Sequence, residues 1–386
     1  MSVGEQVTLE ELERDPYPIY ARLRDEEPVS WVPAVQLWLV TRYDDVRHVD
    51  LRPELFTAAT EPSTLNRTMG VNMLGSEGPD QQRIRRVLEP PFRPRDVEER
   101  TQGMIPALAH ELIDGLHARG ECDLFREFAD PMSVRSLRFM LGLDNVPWED
   151  LLRWNEGLMP GLANFEGDQD KQAPADRASA ALGEVIRGVL DRLEDEPDGS
   201  VLSWMLHHGG EDAMSREEIV ANTKLMLSGG LQEPRDLIAL GTHPEQLEEV
   251  RADGSLIKAA VEETLRLAGP VGTSTRQTTE ATELAGVSLP EGALIGAVLS
   301  SANRDPRRFT DPDRFDIHRK EGAHLAFAAG NHFCLGAWFG RHLARVSLEI
   351  LLDQLPNLRL DPDRLPTLSG WEFRAPDSTW VVWDPA

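Results

Sequence analysis

The segment HLAFAAGNHFCLGAWFGRHLARVSLEILLDQL, beginning at His324, changes character at Cys334. Before the cysteine there is no hydrophobic period, and Gly330 permits a sharp bend. After it, Leu343, Val346, Ile350 and Leu351 recur at helical spacing. Cys334 therefore falls at or just before a helix N-terminus, where unpaired amide groups and the helix dipole stabilise a thiolate. A thiolate held there is a soft ligand suited to iron. Gly336 and Gly340, four residues apart, give the helix a shallow surface that can lie against a flat object. Phe327 and Phe333 are placed to cover the sulfur, which matters because an exposed thiolate oxidises readily. For a cysteine considered alone, the ordinary reading is a buried residue in a helix start. The surrounding string weighs against it.

With 386 residues, 40% of them apolar, the chain can build a large core. Its formal charge of −26 repels nucleic acid and anionic membranes, so neither is an expected partner. No apolar run reaches membrane-spanning length and no basic start leads into an apolar stretch, so the expected location is the cytoplasm. Cys122 and Cys334 are the two cysteines, and neither has the spacing of a zinc site; both are expected to stay reduced.

Asp15 and Pro16 mark a helix start, and LWLVTRYDDVRHVD reads as a short strand turning into helix. From Pro94 to Leu193 the spacing is helical, with breaks near 115–121, 142–147 and 161–174. Ser215 followed by Glu218 is a capping box. Strand-like pieces come late, in GVSLPEGALIGAVLS and TWVVWD. Without a repeat or a long polar linker, residues 1–386 read as one helix-rich, mainly α (α+β) domain.

FAAGNHFCLG resembles the haem-binding signature of the cytochrome P450 superfamily, with Phe327, Gly330, His332, Cys334 and Gly336 at the family's intervals. The glycine that usually follows the phenylalanine is Ala328 here. The resemblance extends over nearly the whole chain: DPYPIYARLR, LVTRYDDVRHV, ANRDPRRF and LPNLRL all look like the soluble bacterial type. It implies a helix-rich body with small sheets, and haem b buried between a long distal helix and a proximal cysteine loop. Cys334 would then be the iron ligand. Glu263 and Arg266, three apart on SLIKAAVEETLRL, match the family's structural Glu-x-x-Arg pair, and Arg314 in PDRF is the expected third member. By the same resemblance Arg276, His332, Arg85 and Gln81 would meet the haem propionates, with Gln81 standing where the family often has histidine.

The stretch LMLSGGLQEPRDLI resembles the family's distal helix, in which an acid and a threonine serve oxygen activation. Aligned on Gly229 and Gly230, those two places hold Gln232 and Glu233, followed by Pro234. The glycines allow close approach of dioxygen to the backbone, and the proline cannot donate to the carbonyl of Gly230, so the helix is expected to widen. Glu233 can then deliver protons, with Gln232 orienting it; the alternatives are a structural ion pair or direct handling of hydrogen peroxide. Some ten residues separate Glu233 from His243, roughly five fewer than in a typical member.

The expected pocket wall comprises Val71 to Leu74, Leu158 to Phe165, Leu225 to Gly230 and Val271 to Thr273, which suits a small or medium hydrophobic substrate. A natural product or foreign compound fits that description. No nucleotide fingerprint occurs, so electrons would come from a ferredoxin or flavodoxin with its NAD(P)H-dependent reductase. Arg341 and Arg345, with Arg83, Arg86, Arg93 and Arg95, are expected to form a basic face for that carrier; the alternative is an ordinary solvated surface. The expected activity is monooxygenation by a monomeric enzyme. A peroxygenase, or an enzyme of this fold performing isomerisation, dehydration or oxidative coupling, is the alternative.

Overall fold

The computed structural model describes residues 2–165, 167–230 and 236–384, and the side chains of 236–238 are outside that description. Helices form where capping and periodicity predict them. Ser215 caps the central helix Arg216–Gly230 reciprocally: its amide donates to the Glu218 carboxylate at 2.7 Å, and its hydroxyl accepts from the Glu218 amide at 3.3 Å. Asp15 accepts from the Tyr17 amide at the start of Tyr17–Glu26. Helices Met104–Asp114, Asp130–Leu141 and Trp148–Leu162 are separated by the first two expected breaks.

The third break is narrower than expected. Trp148–Leu162 runs through Gly161, and the next helix, Gln169–Asp195, already contains Pro174. A proline so near a helix start removes one backbone bond, while Asp168 caps the Asp170 amide and Ala175, Ala178 and Leu182 are buried. Burial of that face outweighs the lost bond. Beyond the central helix, a six-residue helix, Asp236–Gly241, leads into Pro244–Ala252.

A five-stranded sheet has the order Val29–Val32, Leu37–Val40, Leu294–Val298, Thr273–Thr278, Phe56–Thr57. Leu37–Val40 runs parallel to Leu294–Val298, with Trp38 opposite Ile295, and the other pairings are antiparallel. Period-two alternation covers both faces. Leu37 and Leu39 join Tyr20 and Leu23 in one cluster, whereas Val40 and Ile295 join Phe56 and Phe309 in another. The late strand Trp380–Val382 lies between Glu121–Asp123 and Arg359–Leu360. A short hairpin, Leu368–Ser369 with Ala375–Pro376, presents its tip to the segment 270–272: the Gly272 amide donates to the Glu372 carbonyl at 2.7 Å.

Glu263 and Arg266 form the expected pair on helix Ile257–Ala268, bidentate at 2.8 Å and fully enclosed. The third member is Arg319, not Arg314. Arg319 donates to Glu263 at 3.1 Å, whereas Arg314 contributes its backbone carbonyl, which accepts from both Arg266 and Arg319. Two guanidinium groups converge on one carboxylate and then need carbonyl acceptors for their remaining N–H groups; Asn303, Pro312 and Arg314 supply three to Arg266.

Candidate active site

Cys334 lies three residues before helix Ala337–Gln354, its amide bonded to the Phe327 carbonyl at 3.0 Å so that the intervening residues form a closed loop. Two left-handed residues shape this loop, Ala328 at φ 56° and Gly330 at φ 67°. A Cβ at Gly330 would meet the Asp50 carbonyl oxygen at 2.5 Å, so the expected bend also permits a close approach. Phe327 and Phe333 pack with ring centroids 6.3 Å apart, and the Cys334 side chain is half-buried. Neither cysteine is in a disulfide. Burial pushes the Cys122 thiol up to about 12, so that residue is an inert part of the core.

A cavity of about 330 Å³ opens above this loop, with Phe327, His332, Phe333, Cys334, Gly336 and Gly340 in one part of its wall. The central helix contributes Leu225, Met226, Ser228, Gly229 and Gly230. The other expected segments contribute Met73, Leu74, Leu162, Phe165, Val271 and Thr273. Other parts of the wall were not foreseen, among them the segment from Ala58 to Leu65, Leu88 with Phe92, Leu137, and Glu372 with Phe373 at the hairpin tip. They are brought in by tertiary packing and carry no local signal. Gln232, Glu233 and Pro234 lie outside the described residues.

The four expected propionate donors divide into two groups. Arg276 and His332 line the cavity and are buried. Arg276 pairs with Asp50 at 3.0 Å, and His332 Nε2 meets Glu77 at 3.1 Å. Asp50 also accepts from Ser274 and from the Ala329 amide, tying the sheet to the cysteine loop. Burial dominates at Asp50 and holds its carboxyl above the usual range, although Arg276 opposes this. At Glu77 burial also pushes upward, but the bond from His332, its charge and two amide donors outweigh it, and the pKa is lowered. Gln81 and Arg85, on helix Gly78–Leu88, instead grip the outside of the loop. Gln81 donates to the Asn331 carbonyl at 2.8 Å, and Arg85 to the Phe333 carbonyl at 2.8 Å.

The basic face takes a different form from the one expected. Each of its six arginines is paired: Arg341 with Glu262, Arg345 with Glu349, Arg83 with Glu218, Arg86 with Asp212, Arg93 with Glu89 and Arg95 with Glu99. Each acidic partner offsets part of the positive charge expected on that face. Glu262 is a residue that sequence reasoning missed. Burial would raise its pKa, yet bonds from His324 and Arg341 bring it down to about 2. Its partners His324 and Arg341 lie 62 and 79 positions away, so no local spacing marks it.

Residues 239–365 match the family model described as Cytochrome P450. The chain is 33% identical to Cytochrome P450 107B1 of Saccharopolyspora erythraea, over 93% of this chain and 92% of that protein. The chain belongs to the cytochrome P450 monooxygenases. It is also 34% identical to the Vitamin D(3) 25-hydroxylase of Pseudonocardia autotrophica, over 90% of this chain and 88% of that enzyme. The solved P450 CYP109Q5 from Chondromyces apiculatus superposes with a TM-score of 0.87 at 29% identity, covering 98% and 97% of the two chains. Membership in the P450 family implies a haem cofactor and dioxygen as co-substrate. The residues of this P450 fit such a group. His332 presents an enclosed Nδ1 with no hydrogen-bond partner in the cavity wall, and Gly336 leaves open space beside the Cys334 sulfur, where an added Cβ would come no closer than 4.0 Å. No helix among the described residues is long and apolar enough to cross a membrane.

Proposed function

We propose that the chain inserts one oxygen atom from dioxygen into a small or medium hydrophobic substrate, with residues 1–386 acting as one catalytic domain on haem b. The observation that carries this reading is one cavity shared by Cys334, the glycines Gly229 and Gly230, and a mostly apolar remainder. When bound, the haem supplies oxygen activation, favoured by electron donation from a thiolate ligand. Cys334 is the proposed ligand, with the Phe327 and Phe333 rings limiting water at its sulfur. Arg276 and His332 hold the propionates from the cavity wall, while Gln81 and Arg85 fix the loop on which Cys334 sits.

Gly229 leaves room for dioxygen beside the central helix, while the bare backbone of Gly230 admits the Leu137 side chain; the carboxyl group of Glu233, oriented by Gln232, delivers protons. Electrons come from a separate ferredoxin or flavodoxin and its reductase, to a monomer in the cytoplasm. The haem-loaded protein, reduced under carbon monoxide, should give the absorption band of thiolate ligation, and Cys334→Ser should lose it. Product formation must require both dioxygen and electrons; turnover without external electrons would overturn the monooxygenase reading. Glu233→Gln should lower the product formed per reducing equivalent, and unchanged coupling would remove Glu233 from proton delivery.

A further inference from the structure

Glu372 stands at the tip of the carboxyl-terminal hairpin, with its backbone fixed on both sides. Its carbonyl accepts from the Gly272 amide, and the next residue, Phe373, bridges to Val271. The residue lines the cavity and is only 7% exposed. Its Oε2 is enclosed and has no hydrogen-bond partner, and among the described residues its side chain forms no ion pair. The surrounding ionisable groups do not compensate it. Glu13 is another acid, and Tyr20 offers a hydroxyl that is itself enclosed and unpartnered. Arg374 donates to the carbonyls of Gly370 and Arg14 and lies over the ring of Tyr17; its Nε is enclosed and makes no hydrogen bond to Glu372. The two basic residues of the cavity wall, Arg276 and His332, already face Asp50 and Glu77.

We propose that Glu372 recognises a basic nitrogen on the substrate, making the preferred substrate class hydrophobic amines. This rests on the monooxygenase reading for the term substrate, but the binding claim stands separately. A cationic nitrogen supplies the counter-charge that the wall lacks, while the apolar remainder takes the hydrocarbon part. The net charge of −26 also favours the approach of a cation over an anion. Burial, followed by repulsion from Glu13, pushes the Glu372 carboxyl up to about 8. A permanently charged ligand therefore binds with release of the Glu372 proton, and its affinity rises as pH passes upward through that value.

The probes are phenylbutyltrimethylammonium, which cannot coordinate iron, its neutral tert-butyl isostere and its sulfonate analogue. Calorimetric titration of the haem-loaded full chain should show the ammonium preferred over the isostere by on the order of tenfold to a hundredfold above about pH 8. The preference should shrink on acidification in the wild type, vanish in Glu372→Gln and persist in Glu13→Gln. The wild-type pH profile tests the claim even if Glu372→Gln folds poorly. Equal binding of ammonium and isostere, or a preference lost in Glu233→Gln but kept in Glu372→Gln, would overturn it. Dioxygen- and electron-dependent oxidation of neutral hydrophobes without ammonium preference would sink this inference and leave the monooxygenase reading intact.

Discussion

Glu263 is the residue at which local charge and global stability meet most directly. Two guanidinium groups share its carboxylate in an enclosed site, so Glu263→Ala leaves the buried Arg266 without a counter-charge, while Arg319 keeps Glu321. The expected loss is about 3–5 kcal/mol in urea unfolding. Arg314→Ala keeps the carbonyl that both arginines use and should stay within about 0.5 kcal/mol. The Glu-x-x-Arg spacing was legible because both partners lie on one helix. Arg319 was not, because its approach depends on the turn path from Thr310 to His318. Glu372 makes a separate claim on stability. Its folded-state pKa lies above the unfolded value, so the folded state holds a proton that the unfolded state has released between about 4.5 and about 8. This stabilisation is full below that window and declines through it at about 1.4 kcal/mol per pH unit. Stability measured against pH should therefore lose this downward slope in Glu372→Gln.

Among the elements, the cysteine loop shows how a motif can be readable while its strain is not. FAAGNHFCLG identified the loop, yet the cost of replacing the usual glycine with Ala328 emerges only from its φ of 56°. A left-handed conformation costs an alanine about 1–2 kcal/mol, partly offset by the greater freedom glycine has when unfolded. Ala328→Gly should raise stability by up to about 1 kcal/mol in thermal unfolding. Gly330→Ala should do the reverse by about 2 kcal/mol or more, since its Cβ has the Asp50 carbonyl in its way. Equal effects of the two substitutions would contradict this assignment. The helix Gln169–Asp195 shows the opposite case. Pro174 is a strong local signal for a break, and the buried face that overrides it becomes visible only when the facing helix Trp148–Leu162 is in place.

On the scale of the whole molecule, the order of motifs disclosed the fold because each occupies a fixed place in the chain, and the relatives match across nine-tenths of it. The cavity was legible only where one segment supplies several wall residues. Contributions from the hairpin tip depend on a contact between residues a hundred positions apart, Gly272 and Glu372. Charge at this scale predicts how an acidic electron carrier behaves. Because the arginines around the cysteine loop are already paired, the net charge of −26 should govern encounter, and reduction by such a carrier should speed up as salt is added. Stopped-flow reduction measured against ionic strength checks this; slowing with salt would show a dominant local basic face. The paired arginines have one more consequence. A docking carboxylate would compete with Glu349 for Arg345 or with Glu262 for Arg341, so association becomes a sharing or exchange of partners among charges already paired. The competing acid would remain beside the interface, which would favour quick release of a carrier that docks there.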